Sequence, residues 1–97
     1  MMQRFVSFSG RTAIVTGSGR NIGRAIALAL AEGGANVVVN GHSDRQAVDA
    51  VVAEIRSGGG KALGLMADVS AHDEVAELVR KTVAEFGSVD IAISNVG

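Results

Sequence analysis

Short apolar runs alternate with amphipathic stripes along this chain, and glycine marks most of the boundaries between them. Residues 12–16 (TAIVT) form a β-branched run that stops at Gly17, which is typical of a strand. From Ile22 onward, apolar residues recur at helical spacing until the Gly33-Gly34 pair. This pattern predicts a strand, a tight turn and a helix.

Two more helices and three more strands follow. Residues 35–40 (ANVVVN), 61–67 and 89–94 (VDIAIS) predict strands, the first of them apolar on both faces as in a parallel sheet. One helix follows Ser43, which is predicted to cap it with Gln46 three residues on, and the other follows a predicted cap at Ser70. The two apolar stripes are Ala47, Val48, Val51, Val52 and Ile55, and Val75, Leu78, Val79, Val83 and Phe86.

The element order βαβαβαβ predicts an α/β fold with a doubly wound parallel sheet, Rossmann-like and truncated after the fourth strand. Three helices, two on one face and one on the other, leave part of the second face bare and the last strand as an open edge. We therefore expect the chain to self-associate or to be part of a larger domain.

Composition narrows the functional classes. The 97 residues carry a net charge of −1, which supplies no electrostatic attraction for nucleic acid or an anionic membrane. The chain has no cysteine, and His42 and His72 are too far apart in sequence for a zinc motif, so no metal site is expected. No apolar run approaches the length of a membrane span. The expectation is a soluble, cytoplasmic protein.

The candidate chemistry lies between the first strand and the first helix, at residues 16–23 (TGSGRNIG). A turn of small residues here allows a pyrophosphate to approach the N–H groups at the helix N-terminus, where the helix dipole adds positive charge. Gly17, Gly19 and Gly23 are spaced G-x-G-x-x-x-G, which differs from the G-x-G-x-x-G fingerprint, and no G-K-S/T follows. The motif predicts a phosphate cradle.

These residues resemble the short-chain dehydrogenase/reductase family, whose turn has the pattern T-G-x-x-x-G-x-G. Thr16, Gly17 and Gly23 match it, and Asn21 stands where the family usually has its middle glycine. Asparagine tolerates left-handed backbone angles better than other non-glycine residues.

Two further motifs carry the resemblance along the chain. Asp68 and Val69 match the family's Asp-Val, which implies that the Asp68 carboxylate accepts a hydrogen bond from the adenine amino group. Residues 94–97 (SNVG) are similar to the family's Asn-Asn-Ala-Gly, with Asn95 and Gly97 matching. Within the family, the chain resembles the 3-oxoacyl-carrier-protein reductase branch, and residues 1–97 are interpreted as the N-terminal part of one dinucleotide-binding Rossmann domain.

Coenzyme choice follows from charge. NAD sites place an acidic residue at the end of the second strand, where it would repel a 2′-phosphate. Asn40 stands there in this chain, Arg20 inside the turn can pair with a phosphate, and His42 and Ser43 add neutral donors. The sequence predicts NADP(H) in preference to NAD(H). The predicted cofactor-binding residues are Gly17, Ser18, Gly19, Arg20, Asn21, Ile22, Gly23, Asn40, His42, Ser43, Asp68, Val69, Asn95, Val96 and Gly97.

The resemblance implies hydride transfer between a nicotinamide and a carbonyl or alcohol substrate, in a homo-oligomer. It also implies a catalytic tyrosine, lysine and serine, which in family members lie beyond the position of Gly97. Because this chain has no tyrosine, no catalytic residue is assigned and the chain alone is expected to be inactive.

Two other functions stay open. The chain could be a stand-alone nucleotide-binding or interaction module that pairs through its bare sheet face. A fold that binds S-adenosylmethionine also uses a glycine turn, but it normally needs an acid where Asn40 stands. Single residues also have structural alternatives: Asp68 could cap the third helix alongside Ser70, and Asn95 could hold the strand end.

Overall fold

The computed structural model describes residues 7–95, so the predicted site residues Val96 and Gly97 lie outside the described part. Four strands alternate with three helices, as the apolar pattern predicts. The elements are β1 (Thr12–Val15), α1 (Asn21–Glu32), β2 (Asn36–Gly41), α2 (Arg45–Ser57), β3 (Lys61–Met66), α3 (His72–Phe86) and β4 (Ile91–Ile93).

The sheet is parallel throughout, with the strand order β3-β2-β1-β4. Strands are added in one direction from β1 to β3, and the chain then crosses to the other side of β1 to form β4. Because parallel crossovers are right-handed, the reversal moves the connecting helix to the opposite face of the sheet. The carboxyl ends of β1 and β4 therefore flank a topological switch point, where doubly wound folds bind their ligands.

Alternate residues of the two central strands serve two separate cores. Ala13, Val15, Val37 and Val39 are buried on the face covered by α1 and α2. Ile14 and Val38 face the other way and pack in a smaller cluster with Leu78 of α3. Each strand is apolar on both sides because helices cover both faces of its sheet.

The face that carries α3 is the less covered of the two. Val79 and Val83, predicted to belong to the apolar stripe of α3, are 40% and 43% exposed. Leu78 and Thr82 are the buried residues of this helix, and Ala92 in the middle of β4 is exposed. Within residues 7–95, no helix combines the length and apolar character needed to cross a membrane.

Both predicted serine caps are wrong. The N-cap of α2 is Asp44, whose Oδ1 accepts from the N–H of Ala47 at 3.0 Å. Ser70 lies in the turn before α3, whose N-cap is Ala71, and its hydroxyl and N–H both donate to Asp68. At α2 a carboxylate, a stronger acceptor than a hydroxyl, takes the backbone donor that Ser43 was expected to take, whereas α3 has no side-chain cap and Ser70 is instead a donor to Asp68.

Six of the eight strand ends also differ from the prediction, by one or two residues. The second strand extends one residue past Asn40 and ends at Gly41. The fourth begins at Ile91, two residues later than predicted, because Asp90 is held in a separate contact with the start of β1. The Asp90 carboxylate accepts from the N–H of Thr12 at 2.9 Å, and the Asp90 N–H donates to the Thr12 carbonyl at 2.9 Å.

Candidate functional site

The turn between β1 and α1 is built on glycines that leave no room for a side chain. Gly17 has a φ of +59°, and a Cβ there would lie 2.6 Å from the backbone oxygen of Asn95. A Cβ on Gly23 would lie 2.2 Å from the backbone oxygen of Gly17. Gly19 faces α2, where a Cβ would lie 3.3 Å from that of Ala47. The turn is therefore packed against the end of β4 and the start of α2 at backbone distance.

The first turn of α1 presents donors that the chain itself does not use. Asn21 has a φ of +55°, the left-handed conformation that asparagine tolerates and for which the family uses glycine. The first helical hydrogen bond is made by the N–H of Arg24, and Arg20, the N-cap, makes no side-chain cap. In the described part of the chain, no acceptor meets the N–H groups of Asn21, Ile22 and Gly23, and Ile22 is 70% exposed.

Ser18 and Asn40 join the turn to the sheet from inside. The Ser18 hydroxyl donates to the Val15 carbonyl at 2.6 Å and accepts from the Asn40 N–H at 3.0 Å. The Asn40 side-chain oxygen accepts from the N–H of Gly17 at 3.3 Å, and its amide donates to the carbonyls at the end of β3, including that of Leu65 at 3.1 Å. Both residues are buried, so their polar atoms position the turn.

Thr16 and Asn95 join the same turn to β4. The Thr16 hydroxyl accepts from the Asn95 N–H at 2.9 Å, and the Asn95 side-chain amide donates to the Gly17 carbonyl at 3.3 Å. The end of β4 thereby fixes the peptide of Gly17, the residue on which the turn depends. Thr16, the first residue of the sequence motif, thus has a structural role through its hydroxyl.

A groove of about 290 Å³ lies between the turn and the start of α2. Arg20 crosses it to pair with Asp44, whose Oδ2 lies 2.5 Å from the guanidinium Nη2. His42 and Ser43 line the same groove and are exposed. Sequence reasoning missed Asp44, although aspartate is as good an N-cap as serine and its position could have suggested a cap.

A larger cleft of about 620 Å³ adjoins the groove and shares Gly17 and His42 with it. Asp68, Val69 and Asn95 line this cleft from the ends of β3 and β4. The hydrogen bonds from the Ser70 hydroxyl and N–H lower the pKa of Asp68, and the nearby His42 lowers it further. His42 Nε2 lies 3.7 Å from Oδ2 of Asp68, the oxygen that Ser70 does not bond.

These features fit the parts of a dinucleotide. The glycine turn packs on the protein's own backbone, and the first turn of α1 offers a pyrophosphate three N–H groups that have no acceptor in residues 7–95, together with the positive end of the helix dipole. Arg20 adds a cation on one side and Asp68 an acceptor on the other. The cleft volumes are comparable with the roughly 300 to 1,000 Å³ of small-molecule and cofactor sites.

Known proteins are similar to this chain in sequence and in fold. A sequence profile described as short chain dehydrogenase matches residues 11–97. The chain is 45% identical over 87 residues to a 3-oxoacyl-[acyl-carrier-protein] reductase of Staphylococcus epidermidis, covering 90% of this chain and 36% of the relative. It is 49% identical over 88 residues to versicolorin reductase of Emericella nidulans, covering 91% and 33%.

A solved structure agrees with these relatives. The hydroxysteroid dehydrogenase from Escherichia coli is similar over 94% of this chain and 38% of its own, with a TM-score of 0.89 and 36% identity. The chain thus spans about a third of the length of the relatives it matches. The profile match covers every strand and helix described above, and it confirms the family indicated by the glycine turn and the two later motifs. This chain belongs to the short-chain dehydrogenase family.

Proposed function

We propose that this chain binds NADP(H), in preference to NAD(H), across the carboxyl ends of its strands. We propose further that it serves an oxidoreductase in which the nicotinamide exchanges hydride with a carbonyl or alcohol substrate. The observation that carries the proposal is the N-terminus of α1, which has three N–H groups without an acceptor in residues 7–95 and an arginine directly before them.

The pyrophosphate is assigned to the first turn of α1. Anions bind at helix N-termini because unpaired N–H groups and the helix dipole both favour negative charge. The positive φ angles of Gly17 and Asn21 direct the chain into the helix, and Asn95 and Asn40 hold that geometry through hydrogen bonds to Gly17. This arrangement is supplied before any ligand arrives, so little ordering is needed on binding.

The adenosine half is assigned to the larger cleft. Oδ1 of Asp68 is held by Ser70, while Oδ2 faces the cleft beside His42 and is available to an amino donor. The hydrogen bonds from Ser70 lower the pKa of Asp68 and so stabilise the ionised carboxylate, which is an acceptor only. Val69 continues the same wall.

The preference for NADP(H) is assigned to Arg20 and to the end of β2. The strand ends at Gly41, which has no side chain to offer the ribose, and Asn40 before it is directed into the sheet. The Arg20 guanidinium lies in the groove with donors that suit a phosphate. The charged pairing favours the phosphorylated ribose over the free hydroxyl.

The reaction class rests on the family and on the relatives, which are named as reductases and a dehydrogenase. The nicotinamide, when bound, supplies or accepts the hydride. The residues of this chain bind and orient the coenzyme, and none of them is assigned a proton-transfer role, since the chain has no tyrosine. Binding is therefore the activity to measure on this chain.

Isothermal titration calorimetry of the purified chain with NADPH and with NADH tests the proposal. We expect NADPH to bind more tightly, and Arg20→Gln to weaken NADPH roughly tenfold or more, the value of a hydrogen bond to a charged group. NADH affinity should change little. Arg80→Gln is the matched control, because it removes the same charge from α3, where Arg80 pairs with Glu77. Equal or tighter binding of NADH by the unmodified chain would contradict the coenzyme preference, and absence of binding to both would contradict the site itself.

A further inference from the structure

We infer that Asp44 restrains Arg20 through their ion pair and so lowers the preference of this site for the 2′-phosphorylated coenzyme. The inference rests on the proposed function, because it concerns the arginine assigned to the 2′-phosphate. This aspartate lies outside the glycine turn, the two later motifs and β2.

The two carboxylate oxygens of Asp44 have separate partners. Oδ1 accepts from the N–H of Ala47 and so caps α2, while Oδ2 pairs with Arg20. The cap fixes the aspartate on a helix end, and it therefore holds Oδ2 at one place on the wall of the groove. Arg20 is drawn from the turn across the groove to that place.

Asp44 also lines the same groove as Gly41, the last residue of β2. It is the one acidic residue that lines the groove, among the described residues. An acid directly at the strand end is sterically excluded, since a Cβ on Gly41 would lie 2.5 Å from Cγ2 of Val48. The negative charge that opposes a 2′-phosphate is therefore supplied by Asp44, the N-cap of α2, three residues after Gly41.

A 2′-phosphate and Asp44 compete for the same guanidinium. The side chains of Arg20 and Asp44 are 62% and 47% exposed, and exposed ion pairs are weak, so a phosphate can displace the carboxylate. The ion pair between Arg20 and Asp44 must nevertheless break when the 2′-phosphate binds. This reduces the affinity that the 2′-phosphate adds by roughly twofold to fivefold. The site therefore prefers NADP(H) over NAD(H) by a smaller factor than Arg20 would give in the absence of Asp44.

The experiment uses adenosine 2′,5′-bisphosphate and AMP, which differ only in the 2′-phosphate. Their dissociation constants are measured by calorimetry on the chain and on Asp44→Asn, which retains a good N-cap but loses the charge. Asp44→Ser, a shorter cap that cannot reach Arg20, is the second variant. Asp49→Asn is the matched control, since it removes the same charge from the exposed side of α2, outside the groove.

We expect both Asp44 variants to raise the preference for the bisphosphate over AMP by roughly threefold to fivefold, and Asp49→Asn to leave it unchanged. The increase should vanish when Arg20→Gln is also present, because the effect is transmitted through the arginine. Circular dichroism of each variant checks that α2 is intact.

Three results would overturn the inference while leaving the proposed function in place. One is an unchanged preference in both Asp44 variants. Another is an increase that persists in the Arg20→Gln background, which would show direct repulsion of the phosphate. The third is weaker AMP binding by Asp44→Asn, which would make the aspartate an acceptor for the ribose hydroxyl. Failure of the unmodified chain to bind either nucleotide would instead remove the proposed function.

Discussion

The turns that lead into α1 and α3 lie at the same edge of the sheet, yet they are held in different ways. The β1–α1 turn depends on backbone conformation, with positive φ at Gly17 and Asn21 and contacts too close for a Cβ. The β3–α3 turn depends on carboxylates. Asp68 accepts twice from Ser70, and Glu74 accepts from the Asp68 N–H at 2.8 Å. Backbone packing builds the first turn and side-chain acceptors build the second.

The difference decides which helix end is available to an anion. The first turn of α3 carries Asp73 and Glu74, and α2 is capped by Asp44, so the chain's own carboxylates face the positive ends of both helices. The first turn of α1 has no acid, and its N-cap is Arg20. Because a helix dipole favours negative charge near its N-terminus, α1 is the helix whose charge is left for a ligand.

The largest expected effect comes from placing a side chain on the backbone-built turn. In Gly23→Ala, the new Cβ would lie 2.2 Å from the Gly17 oxygen and 2.5 Å from the Asn95 side-chain amide. Both neighbours must move, so the free energy of unfolding should fall by about 3 kcal/mol or more. Urea unfolding followed by circular dichroism measures the loss.

Gly58→Ala is the control for this substitution. Gly58 lies at the end of α2 with a φ of −86°, and a Cβ there would meet the Ile55 oxygen at 3.6 Å, an ordinary contact. Its unfolding free energy should change by less than about 0.5 kcal/mol. Similar losses for the two alanine variants would refute the view that the β1–α1 turn is set by close backbone packing.

The sequence predicted the backbone-built turn well, because glycine and asparagine report backbone conformation directly. The apolar alternation also located the four strands and three helices, because residues on one face of an element recur at that element's spacing. The positive φ of Asn21 in particular was predictable from the family's glycine at that position.

The parts that depend on side-chain acceptors were harder to predict. Serine and aspartate are both good caps, and in residues 43–44 they are adjacent, so the choice of Asp44 depends on where the backbone bends. The contact between Asp44 and Arg20 joins residues 24 positions apart and follows from the packing of α2 beside the turn. No local pattern contains that information.

A smaller effect on stability is expected when an acidic side chain is placed in the first turn of α1, as α3 already has. Ile22→Asp places a carboxylate in the first turn of α1 at a side chain that is 70% exposed, so no core is lost. Stability should rise by about 0.3 to 1 kcal/mol through the helix dipole. Binding of NADPH and NADH should both weaken, roughly tenfold, by repulsion of the pyrophosphate.

Ile22→Asn separates charge from shape in this prediction. It has the size of aspartate and no charge, so it should reproduce little of either change. Unfolding in urea and titration with both coenzymes are measured on the same preparations. If Ile22→Asp leaves both affinities unchanged, the pyrophosphate does not lie at this helix end.

The smallest effect concerns the carboxylate-built turn. Hydrogen bonds from Ser70 hold the pKa of Asp68 below its ordinary value of 3.8 in the folded chain. A depressed pKa stabilises the fold above the ordinary value, and this contribution is lost as the pH falls through the lower, folded pKa. Asp68→Asn should therefore lose less stability than the unmodified chain between about pH 6 and about pH 3, with Ser70→Ala intermediate, in urea unfolding without nucleotide. Parallel losses in all three proteins would show that Ser70 does not stabilise the ionised form, and the β3–α3 turn would then owe its shape to its backbone as well.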